Sequence, residues 1–511
     1  MNHAAPSGAG GGLRRDILTT LLPGFTGPAA PDWVLARLRD GLGGVCLFGS
    51  NVVARDQLAA LCAELRGANP AAVVAIDEEG GDVTRLYYDR GAPWPGNAVL
   101  GRLDDPSLTE AVGREVGEAL RALGVTMTFA PDADVNSNPE NPVIGTRSFG
   151  ADPALAARHT AAWVRGVQST GVDASAKHFP GHGDTSADSH LALPVVDAPL
   201  EVLRERELVP FRAAIAAGVR SIMTSHIVLP HLDAEHPVTL SPNVLRRLLR
   251  GELGYAGVVV SDALDMHGAS GVHGIPEAAV RALVAGCDLL CIGPDITEAQ
   301  VDEIVAAVEA AVAAGRLDAD RVAEAAGRVR ALADGGSGTT DAATGGPTAA
   351  DTASAVGVDD VLRAFDLVDG ALAPLRGAGS VGTVVRVDTV PNIAVGIAPW
   401  GPFAAEASDA PSWLSAAETV ALDAAHPLAD PAALAGPVVV IGKDLHRFPF
   451  AVDAIAALRA ARDDVVTVDL GWPSDDRAVA DVSGFGASRL VGEAVIRLVG
   501  DALGADAAVT A

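Results

Sequence analysis

The chain has 511 residues, of which 49% are hydrophobic and 20% charged, and its formal net charge is −28. This length leaves room for roughly two or three domains with a large core, in the ordinary composition of a globular protein. The negative charge argues against a nucleic-acid partner or an anionic membrane surface, and no stretch approaches transmembrane length.

Residues 1–15, MNHAAPSGAGGGLRR, read as a flexible tail with no apolar stretch of the secretory kind, so the chain reads as cytoplasmic. From Asp16 to Asp334, short apolar runs alternate with helical patterns. The strand candidates are GGVCLFG from Gly43, AAVVAID from Ala71, VTMTFAPD from Val125, VDASAKH from Val172, SIMTSHI from Ser221, GVVVSDA from Gly257 and DLLCIG from Asp288. Amphipathic stretches such as SLTEAVGREVGEALRALG and PLEVLRERELVPFRAAIAAG lie between them. Seven such alternations predict an α/β fold with a parallel sheet, most simply a (β/α)8 TIM-type barrel over 16–334, with the eighth strand not evident. Cys46, Cys62, Cys287 and Cys291 are too sparse for a disulfide scaffold and lie in apolar patterns, where cysteine acts as a small hydrophobe.

Ionisable residues gather at the carboxyl ends of these strands: Asp77, Asp132, Asp134, Lys177, His178, His226 and Asp262. In a barrel those ends converge on one mouth, where active sites lie. The segment KHFPGHGDTSADSH, from Lys177 to His190, holds three of the twelve histidines, and Pro180, Gly181 and Gly183 exclude a regular helix or strand interior. Only two of the 37 basic residues are lysines, Lys177 and Lys443. A lysine beside His178 in so arginine-biased a chain suggests a site that needs a compact, flexible ammonium.

Residues 335–357 form a Gly/Ser/Thr/Ala-rich linker. Beyond it, 358–511 reads as a smaller α/β (αβα) sandwich. VGTVVRVD, NIAVGIAP, GPVVVIGKDL and DVVTVDLGWP are its strands, and AVDAIAALRAARD and SRLVGEAVIRLVGDALG its helices. GIAPWG lacks the strand and helix context of a phosphate-binding glycine loop. The most polar cluster there is GKDLHRFPF, with Lys443, His446 and Arg447; it suits a domain interface or a solvent-facing loop.

Several motifs stand together in order: PGF, GGVCLFGSN, IDEEGGDVTRL, FAPDADVNSNPENPVIGTRSFG, KHFPGHGDTSADSHLALP and VVVSDALDM. In them the chain from about Leu22 to Arg330 resembles glycoside hydrolase family 3, in its NagZ-type β-N-acetylglucosaminidase branch. The resemblance implies a retaining enzyme with Asp262 as the nucleophile that forms a covalent glycosyl-enzyme. It implies His190, oriented by Asp188, as acid/base in place of a second carboxyl group; histidine titrates near neutrality and a neighbouring carboxylate fixes its tautomer. Asp77, Arg85, Arg147, Lys177 and His178 would hold the sugar, with no metal and no cofactor. The implied substrate is a carbohydrate with a β-linked GlcNAc, such as a peptidoglycan fragment. One departure is Asp82, where the family commonly has arginine; the change bears on a structural ion pair or on the pocket rim.

Each assignment has a plainer alternative. Asp262 would be a helix N-cap before ALDMHG, and Asp265 is a competing carboxylate. Arg85 and Arg147 would pair internally with Glu78 or Glu79. Asp188 and His190 would satisfy turns of a solvated loop, and His182 would fold that loop rather than assist His190. Three rival functions also stand: a phosphorylase that uses phosphate as acceptor, a zinc hydrolase built on His178, His182, His190, His226 and Asp262, and a non-catalytic sugar-binding barrel.

Overall fold

The computed structural model describes residues 9–185, 193–271, 273–335, 354–390, 394–406 and 412–504. Most of the linker, 336–353, and the residues from 505 onward lie outside them. The chain divides into two compact units, each discontinuous in sequence. The first comprises 1–78, 109–135 and 152–350, and the second 79–108, 136–151 and 351–511.

The first unit holds eight parallel strands: β1 (Leu21–Leu22), β2 (Gly44–Leu47), β3 (Val73–Ile76), β4 (Met127–Thr128), β5 (Asp173–Phe179), β6 (Ser221–Thr224), β7 (Val258–Ser261) and β8 (Leu289–Cys291). Neighbours follow chain order from β2 to β8, and β8 then pairs with β1. The ring is completed between β1 and β2, where the Cys46 amide donates to the Pro23 carbonyl at 3.0 Å. This is a (β/α)8-like barrel, and all seven expected strands are in it. The eighth, β1, is two leucines long.

One expectation is corrected at the N-terminus. A helix runs over Ala9–Thr19, across residues read as flexible tail. Its glycines weaken the local preference, but Ile17 and Leu18 are buried and Arg14 reaches Asp302 at 3.4 Å. Tertiary anchoring overrides composition here.

Side chains alternate in direction along each strand, and the inward set fills the barrel. Leu22, Cys46, Ala75, Met127, Phe129, Met223, Val260 and Cys291 belong to one buried cluster. Asp77 and Asp262 follow Ala75 and Val260 by two positions, so they continue the same inward face at the mouth.

The second unit carries a six-stranded mixed sheet in the order β11-β10-β12-β13-β14-β9. Its strands are β9 (Asp366–Leu367), β10 (Thr383–Val387), β11 (Glu418–Leu422), β12 (Val438–Gly442), β13 (Val465–Asp469) and β14 (Val482–Ser483), with only β9 antiparallel to its neighbour. Ala451, Ile455 and Leu458 of the helix Pro449–Ala461 pack with Val438 and Val440 of β12. The expected strand NIAVGIAP is not one over its described residues: 394–399 form turns and loop, with Gly396 at φ +74°. Among the described residues, no helix is long and apolar enough to cross a membrane.

Candidate active site

Lys177 is buried in β5, and its Nζ lies 2.7 Å from Oδ1 of Asp77, just past β3. The pairing offsets the cost of withdrawing an ammonium from water. Asp262, just past β7, is half-buried. Its amide donates to Thr224 Oγ1 at 3.3 Å, and its Oδ1 accepts from the Ala263 amide at 2.8 Å. Residues 263–266 form a turn, and the short helix His267–Ser270 has Met266 at its N-cap. Asp262 therefore does not cap a helix. Asp265 is exposed and packs against Gly293, where a Cβ would fall 2.4 Å from its Cγ.

His226 supports this stretch. Its Nε2 donates to the Ala263 carbonyl at 2.9 Å, a carbonyl being acceptor only, while Nδ1 meets Thr239 Oγ1 at 2.9 Å. Both ring nitrogens are thus engaged. The sequence places His226 among the ionisable residues at the strand ends and as a rival metal ligand; its hydrogen-bonding role depends on a fold contact with no local signal.

The loop after Lys177 is folded around Asp134. The Lys177–His178 and Phe179–Pro180 peptides are cis. Asp134 accepts from the His178 amide at 3.2 Å, from the His182 amide at 2.6 Å, and sits 2.7 Å from His178 Nδ1. Burial opposes ionisation of this carboxyl, but the His178 ring and the His182 amide outweigh it and hold it below the usual carboxylate range. Burial lowers His182 to about 4, keeping it neutral despite the nearby charges of Asp134 and Asp262. Its Nδ1 meets Thr185 Oγ1 at 2.9 Å, a contact within the loop.

A second buried acid lies beneath the loop. Gly181 has φ +139°, and a Cβ there would come 2.6 Å from Glu207 Oε2, so backbone and carboxylate meet only because the residue is glycine. Arg206 bridges Glu207 at 2.5 Å and Asp184 at 2.6 Å. Burial pushes the Glu207 carboxyl up to about 7 even against the Arg206 charge. Neither Glu207 nor Asp134 was singled out for loop support from sequence. Asp188 and His190 lie outside the described residues.

Asp132, Asp134 and His178 are close enough together to hold a metal ion. Their contacts already explain them, since His178 Nδ1 is at hydrogen-bond distance from Asp134 and the Asp134 amide donates to Asp132 Oδ1 at 2.9 Å.

In the second unit, Arg147 forms a two-pronged ion pair with Glu79: Nη2 to Oε1 at 2.8 Å and Nε to Oε2 at 3.0 Å. Both side chains are buried, 5% and 4% exposed, and Nη1 of Arg147 also donates to the Val143 carbonyl at 3.1 Å. The internal ion pair weighed for Arg147 is therefore present. Arg85 Nη2 donates to the Ala394 carbonyl at 2.7 Å. Asp82 accepts from the Ala487 amide at 2.7 Å and from Thr146 Oγ1 at 3.3 Å. Burial raises its pKa, with the Lys443 charge opposing. Lys443 itself stands 5.3 Å from the centre of the Trp400 ring, His446 lies 3.3 Å from Glu140, and Arg447 donates to the Asn141 carbonyl at 3.1 Å.

A parallel barrel with a lysine, carboxylates and histidines at the carboxyl ends of its strands defines a (β/α)8 enzyme scaffold. The N-terminal domain of glycosyl hydrolase family 3 matches residues 34–332, more than half of the chain, and the chain belongs to that family. Beta-hexosaminidase A of Pseudoalteromonas piscicida is 38% identical over 273 residues, covering 49% of this chain and 46% of that protein. The chain thus spans less than half the length of that relative. A beta-hexosaminidase of Stenotrophomonas maltophilia (strain K279a) is 36% identical over 286 residues, 54% of this chain and 82% of that protein. The solved structure of a family 3 beta-N-acetylglucosaminidase from Paenibacillus sp. str. FPU-7 superposes with a TM-score of 0.81 at 32% identity, covering 96% of both chains.

Proposed function

We propose that the chain is an exo-acting, retaining β-N-acetylglucosaminidase that releases GlcNAc from β-linked glycosides such as peptidoglycan fragments. The observation that carries this reading is the inward placement of Asp262 at the barrel mouth, half-buried, with its backbone fixed on both sides. A likeness over 96% of both chains to a beta-N-acetylglucosaminidase supports the sugar assigned. Asp262 attacks the anomeric carbon and His190, oriented by Asp188, protonates the leaving oxygen. His190 then takes a proton from water as the glycosyl-enzyme is hydrolysed, which returns the original anomeric configuration.

Asp77, Lys177 and His178 hold sugar hydroxyls from the barrel, and Arg85 and Arg147 keep the sugar-holding role that the family resemblance gives them. Within residues 16–334, the barrel acts as the catalytic domain, apart from the stretches 79–108 and 136–151 that join the second unit, and 358–511 acts as the accessory domain, in a cytoplasmic protein that works without metal. The test is nitrophenol release from an aryl β-N-acetylglucosaminide in the presence of a chelator, with the product anomer read by NMR. A β-anomer as first product supports the reading. No release by folded protein overturns it, and release that requires phosphate and yields a sugar 1-phosphate replaces it with a phosphorylase.

A further inference from the structure

The face of the barrel opposite the mouth carries an arginine cluster that the catalytic reading leaves unused. Asp288 immediately precedes β8 and is fully buried. Three guanidinium groups converge on its carboxylate: Arg250 at 2.5 Å, Arg321 at 2.7 Å and Arg328 at 3.1 Å. The Val259 amide of β7 donates to it as well, at 3.0 Å. Arg250 also donates to the Tyr255 and Gly257 carbonyls, at 2.8 and 2.6 Å, just before β7 begins. One buried negative charge is thus shared by three positive ones. The next carboxylate is Glu324, 3.1 Å from Arg321 and 2.6 Å from Arg328, with its side chain 51% exposed. Burial, together with the charges of Arg328 and Arg321, holds Arg250 below the usual guanidinium range although Asp288 opposes it. Burial also works against Arg328, but Asp288 and Glu324 outweigh it and raise that group.

These arginines line a groove of about 570 Å³, formed by side chains of the helices Asn243–Glu252 and Ala319–Gly335. A fourth, Arg246, enters it from the first helix. Its stem crosses Gly286, which has φ +126° and where a Cβ would fall 3.3 Å from Arg246 Cγ. Among the described residues, Arg246 has neither an ion-pair partner nor a hydrogen bond. Asp318 and Asp320 line the groove too and are exposed; the Asp318 carboxylate is turned to the Asp320 amide at 3.0 Å. Counted with them the lining is neutral, so an anion cannot simply fill a positive field. It must take the place of a carboxylate, and exposed Glu324 is the one that can swing out to solvent.

We propose that this groove binds a phosphate-bearing small molecule, held by Arg246 and Arg328 in exchange for Glu324. Guanidinium forks match phosphate oxygens in pairs, and charge-assisted bonds of this kind are the strong ones. A phosphate dianion brings two charges and oxygens in several directions to arginines on two helices, where Glu324 brings one charge in one plane. The groove lies at the amino ends of β7 and β8, whereas Asp262 follows the carboxyl end of β7, so its occupant is not the glycoside. A ligand that joins the two helices and binds only the folded chain stabilises the barrel by mass action.

The test is calorimetric titration of the full chain with inorganic pyrophosphate at constant ionic strength. One site is expected, with a rise in melting temperature beyond that given by chloride. Arg246→Gln removes an exposed side chain without partners, so it should fold as wild type and weaken binding by about tenfold or more. Arg328→Gln should weaken it similarly. Glu324→Gln should tighten binding by about threefold or more, because the competing carboxylate is gone; a purely structural ion-pair network gives no such gain. Four results would each overturn the site: no binding, unchanged affinity in both arginine variants, no gain in Glu324→Gln, or citrate bound as tightly as pyrophosphate. None of these readouts depends on glycosidase activity.

Discussion

The ring of His226 and the carbonyl of Ala263 are joined by a 2.9 Å hydrogen bond, so a histidine on β6's loop fixes the backbone immediately after Asp262. A carboxylate that must approach an anomeric carbon in line loses on the order of 100-fold in rate when misplaced by about 1 Å. His226→Phe should lower kcat by roughly 100-fold with KM little changed. His226→Gln, whose amide nitrogen can donate to the same carbonyl, should recover part of the loss. Steady-state kinetics on an aryl glycoside separate the two, and equal loss in both variants would remove the positioning role.

Asp262→Asn retains the side chain's shape and its acceptor for the Ala263 amide, so folding should be preserved. Turnover should fall by on the order of 10³ or more if the carboxylate is the nucleophile. A melting temperature unchanged within error, together with residual activity near that of wild type, would transfer the role to another residue.

His190→Ala should affect substrates unequally. Poor leaving groups require a proton and should lose on the order of 10² to 10⁴ in kcat/KM, while activated aryl glycosides should lose far less at the glycosylation step. A leaving-group series measures the contrast, and equal losses throughout would exclude an acid/base role.

Glu207 gives a pH signature. Its carboxyl is pushed up to about 7 in the folded chain by burial, with Asp134 and Asp184 adding to the rise and Arg206 opposing it. An unfolded glutamate titrates near about 4.3, so the folded form binds the proton more tightly. The associated stability is present below about pH 4 and is lost as pH rises through about 7. Glu207→Gln cannot ionise, so its melting temperature relative to wild type should be more favourable at about pH 8 than at about pH 5, by on the order of 2 °C. Thermal melts at the two pH values decide it.

Arg147 and Glu79 are both buried, and removing one partner strands the other's charge. Arg147→Met or Glu79→Leu alone should cost about 3–5 kcal/mol, and the double replacement should cost less than either. A double-mutant cycle by denaturant unfolding measures the coupling. Additive losses would show that the pair is not the stabilising unit.

The barrel was legible because its strands are compact apolar runs that end in ionisable residues, as in AAVVAID and GVVVSD. Leu21–Leu22 was not, since two residues show no period of two and derive their strand character from pairing with Leu290 and Cys291. In the second unit, NIAVGIAP has the composition of a strand. Its backbone instead follows Gly396 into a turn, where the Ile397 amide donates to Tyr88 at 2.9 Å. Motif order drew attention to Asp77, Lys177, His178 and Asp262. The supports beneath them, His226 and Glu207, depend on contacts between residues distant in sequence or on a glycine that admits a carboxylate, and no spacing announces either.

The second unit is assembled from three stretches of chain, 79–108, 136–151 and 351–511. Asp82 accepts from Ala487, Arg85 donates to Ala394, and Arg447 donates to Asn141, so each earlier stretch is bonded to the last. The glycine-rich linker is therefore one of five places where the chain passes between the two units, the others falling at 78/79, 108/109, 135/136 and 151/152. Protein engineering that exchanged everything after it would separate these bonding partners. A successful graft would have to carry both earlier insertions along with the tail.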